Sequence, residues 1–261
     1  MVREADEEGD DLRTPRLGSH HRSAEGPHLR GQVHLHPAAG TCGAHRRGKS
    51  VGDHHWETRT LELLTSLPDT LGLALRHILV VAATDREIAP ADGWSTLTCG
   101  VGPVDAAAAT AAAIARQRPL VVLHVGIAGA RRASGLVAPT MVIGIESIYC
   151  DLDVPAAWAP RRLVPATTLI DAVCRALPSA SRQAIGTSGR VGHSTGCAVE
   201  SMEGFAVLRA AALAGVPAIE VRAVSNEIEE PDRGRWRFDE AFAAVRTTTP
   251  AIVREVAAWL R

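Results

Sequence analysis

Four short segments hold side chains with chemistry to offer. Thr84-Asp85-Arg86-Glu87 follows the apolar run 77–83, and Gly100-Val101-Gly102-Pro103 follows a short TLTC segment. GIAGA spans 126–130, and Ser225-Asn226-Glu227 follows 216–224. Ligands of open α/β sheets collect at the carboxyl ends of strands, so these are the positions where a site is expected. Each also has a plain use. Glu87 fits a first-turn acid complementing a helix dipole. Gly100 and Gly102, ahead of a proline-started helix, fit an anion cradle of free N–H groups or a tight turn. Asn226 fits a cap or a turn. A fifth segment, VESMEGF (199–205), says more. Read as the start of a helix over 200–215, it puts Glu200 and Glu203 on neighbouring positions of one face, beside Met202. Acids so close to an apolar continuation need partners. A vicinal diol of a sugar supplies them to an ionised carboxylate; a cap plus a solvated acid is the plainer alternative.

The elements that must position these residues alternate as β and α from His77 onward. HILVVAA (77–83), PLVVLHVG (119–126), APTMVIGI (138–145) and VPAIEVRAVS (216–225) are short apolar runs, as expected of strands buried on both faces. Helix-like stretches at 103–117, 167–177 and 200–215 separate them, the last ending in Gly215. Near the C-terminus Ile252, Val253, Val256, Trp259 and Leu260 form one stripe, expected to cover a sheet face or a subunit contact. The pattern predicts a three-layer α/β sandwich around a central mixed, mostly parallel sheet.

Composition divides the chain. Residues 1–60 contain only seven Leu, Ile, Val or Phe but eight of the eleven histidines, too little apolar surface to offset the entropy of ordering. Residues 1–75 are therefore expected to be a disordered tail or a start-site artefact, and 76–261 the folded domain. His34, His36, His45, His54 and His55 match no metal-site spacing, and the reading is no metal and no cofactor. With 28 basic and 29 acidic side chains, the charge gives no reason to expect nucleic acid or a membrane surface as partner. Five unpaired-looking cysteines, a charged N-terminus and no long apolar run predict a cytoplasmic protein.

Taken in order, ILVVAATDREIAP, GVGPVDAA, GIAGA, VESMEGFAV and VPAIEVRAVSN resemble the nucleoside phosphorylase and nucleosidase superfamily, and within it most closely the futalosine hydrolase family of the menaquinone pathway. The resemblance covers roughly residues 77–261. It implies cleavage of the N-glycosidic bond of a nucleoside, with a purine as leaving group. Carried over by position, Glu87 matches the acid that activates water, Met202 and Glu203 the pair that holds the ribose, and Asn226 the residue facing the purine. Gly100 and Val101 are expected to bind the substrate as well. The resemblance also implies a homo-oligomer, most simply a dimer. Phosphorylases of the superfamily carry a glycine and arginine pattern after the first strand; AATDREI has Arg86 but not that pattern, and Glu87 would repel phosphate, so hydrolysis is expected.

The chemistry asks for the same groups. Breaking a ribosyl C–N bond builds positive charge on the sugar and negative charge on the base, which calls for a carboxylate near water, a ribose clamp and a donor at the base. An Asn amide offers both a donor and an acceptor, matching the N7–H and O6 of hypoxanthine; an aspartic acid there would suit adenine. The alternatives are an adenine-releasing methylthioadenosine/adenosylhomocysteine nucleosidase and a catalytically dead nucleoside-binding relative. Phe205 and Trp236 are the candidates to stack on the purine.

Overall fold

The computed structural model describes residues 70–192 and 195–261. The histidine cluster and the rest of 1–69 lie outside the described residues.

Strand β1 (Ile78–Ala82) shows why the apolar runs are continuous. All five side chains are buried, Ile78, Val80 and Ala82 in one core cluster and Leu79 and Val81 in another. Parallel neighbours flank it, β2 (Ser95–Thr98) on one side and β3 (Val121–Ala130) on the other. Then follow β4 (Met141–Tyr149), β5 (Arg162–Leu163), β6 (Ser181–Thr187), β7 (Val199–Ser201) and β8 (Ala218–Glu227). The sheet order is β2-β1-β3-β7-β6-β4-β5, and β8 pairs with both β3 and β4. The path β3-β8-β4-β6-β7 thereby returns to β3 and closes five strands into a distorted barrel within the sheet. Among the described residues five pairings are parallel and three antiparallel.

Helices α1 (Thr70–Arg76), α3 (Thr167–Ala176) and α5 (Phe238–Trp259) cover one face, through Ala74, Leu169, Val173, Ile252 and Val256. Helices α2 (Pro103–Gln117) and α4 (Gly204–Leu213) cover the other, through Ala106, Ala113, Val207 and Ala211. This is the expected three-layer sandwich. The C-terminal stripe is absorbed by it: Ile252, Val253 and Val256 are fully buried within the chain's own core, so they offer no subunit contact. Ala74 of α1 is likewise fully buried, which places core-forming chain ahead of residue 76.

Three differences from the expected bounds bear on the site. β3 continues through GIAGA and β8 through Ser225-Asn226-Glu227, so both segments are strand rather than loop. The helix expected over 200–215 begins only at Gly204, with Glu203 as N-cap. Val199–Ser201 form β7, antiparallel to β3 and parallel to β6. These three residues fill a gap between two strands whose backbone groups would otherwise lack partners. Glu200 and Glu203 therefore do not share a helix face. Among the described residues no helix is long and apolar enough to cross a membrane.

Candidate active site

A cavity of about 260 Å³ opens at the carboxyl ends of β1, β3 and β8. Its walls include Thr84 and Glu87, Ile127 to Gly129, Glu200 to Glu203, and Ser225 with Asn226. Val101, Trp236, Phe238 and Phe242 add apolar surface, and Arg190 and Arg233 add positive charge.

Glu87 is held from its own chain. Asp85–Glu87 is one turn of 3-10 helix, and Thr84 before it is extended, so the Glu87 side chain folds back over the turn as in a capping box. Oε2 accepts from the Thr84 amide at 2.8 Å and the Thr84 hydroxyl at 3.0 Å. Oε1 accepts from the Ile127 amide at 3.1 Å. Three donors thus fix a buried carboxylate against the cavity.

Glu203 stands at the junction of β7 and α4. Its Oε1 accepts from the Gly102 amide at 3.0 Å, and its Oε2 lies 3.8 Å from Nη1 of Arg222. The free N–H foreseen in the Gly100–Gly102 turn therefore does meet an anion, and the anion is the protein's own Glu203. Gly102 has φ +94, a conformation open to glycine, which lets the turn present that amide. Burial pushes the Glu203 carboxyl up; Arg222 and the Gly102 amide oppose the rise.

Behind Glu203 lies a buried charge cluster on the α2/α4 side of the sheet. Arg222 and Glu220 of β8 and His124 of β3 are all fully buried. Glu220 Oε2 accepts from Arg222 Nε and Nη2, each at 3.3 Å. Arg222 Nη2 also lies 3.1 Å from His124 Nδ1. Burial, and then the Arg222 charge, hold the imidazole pKa well below its ordinary value, so His124 faces the guanidinium as the neutral ring. Burial raises the Glu220 carboxyl, again against the pull of Arg222. Arg222 Nη1 has no hydrogen-bond acceptor among the described residues. It lies between Glu203 and the Glu87 side of the cavity, over Gly126.

Gly126 makes that approach feasible. A Cβ there would overlap Arg222 Nη1 and come within 2.9 Å of Glu87 Oε1. Gly126→Ala is expected to push the two groups apart and cut turnover at least about 10-fold, in line with the sensitivity of reacting geometry to small displacements. Steady-state kinetics beside a thermal melt would check this. A variant with unchanged turnover would mean that the Glu87–Arg222 spacing does not matter.

At the base end, Asn226 Oδ1 accepts from the Ser225 hydroxyl at 2.8 Å, and Nδ2 donates to the Glu227 carbonyl at 2.9 Å. One N–H and one lone pair of the amide remain for a ligand. Glu87, Val101, Met202, Glu203 and Asn226 all line the same cavity. Gly100 does not; its amide donates to the Ala83 carbonyl. Trp236 lines the cavity, whereas Phe205 is buried and stacked on Tyr149 at 5.3 Å. Cys99, buried near Glu203, has its thiol pushed up to about 11, first by burial and then by the Glu203 charge, and so stays protonated.

Arg222, Glu220 and His124 escaped the sequence reading. Their signal was present, because ionisable side chains inside VVLHVG and AIEVRAV sit in runs otherwise built for burial, and Glu220 and Arg222 at i and i+2 share one face.

A family model described as the Phosphorylase superfamily matches residues 189–258. The fold is similar to that of S-adenosylhomocysteine nucleosidase from Streptococcus pyogenes, with TM-score 0.60 and 19% identity over 69% of this chain and 96% of that one. It is similar also to futalosine hydrolase from Helicobacter pylori, with TM-score 0.60 and 15% identity over 67% and 96%. In sequence, the chain is 32% identical to futalosine hydrolase of Streptomyces coelicolor over 194 residues, which is 64% of this chain and 82% of that protein. With that identity across most of the relative's length, the chain belongs to the futalosine hydrolase family.

Proposed function

We propose that this protein hydrolyses the N-glycosidic bond of futalosine and releases hypoxanthine, as a cofactor-free enzyme of menaquinone biosynthesis. The convergence of Glu87, Glu203 and Asn226 on one cavity carries the reading. Glu87 takes a proton from water as the water oxygen bonds to C1′ of the ribose. The C1′–N9 bond breaks, and its electron pair leaves with the purine. Positive charge growing on the sugar is met by Glu203, which accepts from ribose hydroxyls while Arg222 and the Gly102 amide hold it in place. Met202 packs beside the sugar. Asn226 donates to O6 of the departing purine, and once N7 has taken up a proton from solvent it accepts from the resulting N7–H.

The surroundings of Arg86 favour water over phosphate as the nucleophile. Its guanidinium pairs with Asp239 at 2.7 Å and lies over the Phe242 ring at 4.4 Å, and Arg86 is not among the residues that line the cavity. Incubation with futalosine in phosphate-free buffer is expected to release hypoxanthine. Release that requires phosphate would make the enzyme a phosphorylase, and preference for adenine nucleosides would overturn the base assignment.

Asn226→Asp is expected to shift selectivity away from 6-oxopurines by at least about 10-fold, because the ionised side chain loses its donor to O6 and sets negative charge beside an acceptor oxygen. The ratio of kcat/KM on hypoxanthine and adenine nucleosides, wild type against variant, reads this directly. An unchanged ratio would remove Asn226 from base recognition.

The reading extends to the whole protein as a cytoplasmic homo-oligomer, most simply a dimer. It places catalysis in the α/β body and none of it in the histidine-rich N-terminal segment. Because Ala74 belongs to the core, a shortened chain should begin near residue 69 rather than 76. Such a chain is expected to keep full turnover; a folded but inactive product would bring the histidine cluster back as a metal or substrate element.

A further inference from the structure

We propose that Glu200 is a specificity-determining residue that accepts a hydrogen bond from the N1–H of a 6-oxopurine, across the base from Asn226. The inference rests on the nucleoside reading above and deepens it, since that reading gives Glu200 no role.

Strand register places Glu200 there. Gly129 of β3 pairs with Glu200 of β7 on one side and with Asn226 of β8 on the other. Residues paired directly across strands share a sheet face, so the two side chains rise on the same side with a glycine between them. Two strand spacings put their Cα atoms about 10 Å apart, a width that admits a planar base. Gly129 is what keeps this space open, because a Cβ there would come within 3.2 Å of Asn226 Nδ2. All three residues line the cavity.

Glu200 also lacks something a base would supply. The side chain is buried, and its Oε2 has no hydrogen-bond partner among the described residues. A buried acceptor left unpaired costs stability that a ligand N–H restores. Burial pushes the carboxyl up to about 7; Arg131 and the backbone at Gly192 and Thr195 pull it down, and Glu229 adds to the rise. Its surroundings thus leave a strong acceptor only partly satisfied by the protein.

The chemistry discriminates. Above about pH 7, where Glu200 is ionised, hypoxanthine presents N1–H, a donor, to the carboxylate, while adenine presents an N1 lone pair, which the carboxylate repels. Asn226 reads the N7 and O6 side, and Glu200 reads the next edge position. Together they distinguish a 6-oxopurine from a 6-aminopurine at two independent points.

Calorimetric binding of free bases at about pH 8, above the Glu200 carboxyl, tests this without turnover. Wild-type protein is expected to bind hypoxanthine about 10- to 100-fold more tightly than 1-methylhypoxanthine, the range for a hydrogen bond to a charged group. In Glu200→Val the two bases should bind within about 3-fold of each other, through loss of hypoxanthine affinity. Glu200→Gln keeps the shape and an acceptor oxygen, and should recover part of the preference. Equal binding of the two bases by wild type, or full discrimination surviving in both variants, would overturn the proposal. If hypoxanthine is preferred but futalosine is not cleaved, the hydrolase reading falls and Glu200 keeps its role. Cleavage of futalosine without N1 discrimination does the reverse, and a protein that binds no purine overturns both.

Discussion

Glu87→Gln is expected to leave a folded protein that still binds purine but turns nucleoside over about 100- to 10,000-fold more slowly, the usual loss when a general base is removed. The substitution preserves shape and removes the ability to take a proton from water. The hydrogen bonds make the case stronger. Both oxygens of Glu87 accept from N–H groups, Oε2 from Thr84 and Oε1 from Ile127. A glutamine amide in this place must therefore turn its own NH2 toward a backbone donor whichever way it lies. That conflict costs about 1–3 kcal/mol of stability, as for a buried donor left unpaired. Single-turnover hydrolysis measured beside calorimetric binding of hypoxanthine separates the effects. Full activity in the variant would take Glu87 out of the mechanism.

Glu203→Ala is expected to lower kcat and raise KM together, with kcat/KM down about 100-fold or more, because contacts that strengthen as the sugar becomes cationic act on both steps. A second loss accompanies the first. The alanine strips the Gly102 amide of its acceptor and leaves Arg222, fully buried, with Glu220 as its remaining carboxylate. Breaking a buried ion pair from one side is destabilising by about 3–5 kcal/mol. Glu203→Gln keeps an acceptor for Gly102 and should regain part of the stability, yet little of the turnover. Urea unfolding and kinetics on the same preparations check this. Normal specific activity in a destabilised alanine variant would return Glu203 to a structural role.

The sequence made some of this site legible and hid the rest for identifiable reasons. Glu87 and Asn226 stand next to apolar runs long enough to read as buried strands, so their place at strand ends followed from local pattern, whereas Met202 and Glu203 were reached through the helix start read into VESMEGF. Glu200 did not follow, because three residues of β7 are too short to show a period, and their strand state depends on the gap between β3 and β6. Helical periodicity in what comes after them drew the boundary too early. Arg222 and Glu203 are likewise distant in sequence, and only the packing of the α4 N-terminus on β8 brings them within 3.8 Å. Gly126 was visible as a glycine in GIAGA, but its purpose depends on side chains from β8 and from the turn after β1.

The Arg222 cluster also governs how such a site can decay. In an enzyme whose catalytic acids sit at the surface, one chance substitution produces a stable, silent relative. Here a lone loss of Glu203 or Glu220 leaves a buried guanidinium with one carboxylate in place of two, and a lone loss of Arg222 strands two carboxylates. Silent descendants would have to pass through poorly folding intermediates or change several positions at once. Among related genomes, retention of Arg222 with both acids then marks working hydrolases, and their replacement as a block by apolar residues marks lineages in which selection for catalysis has ended.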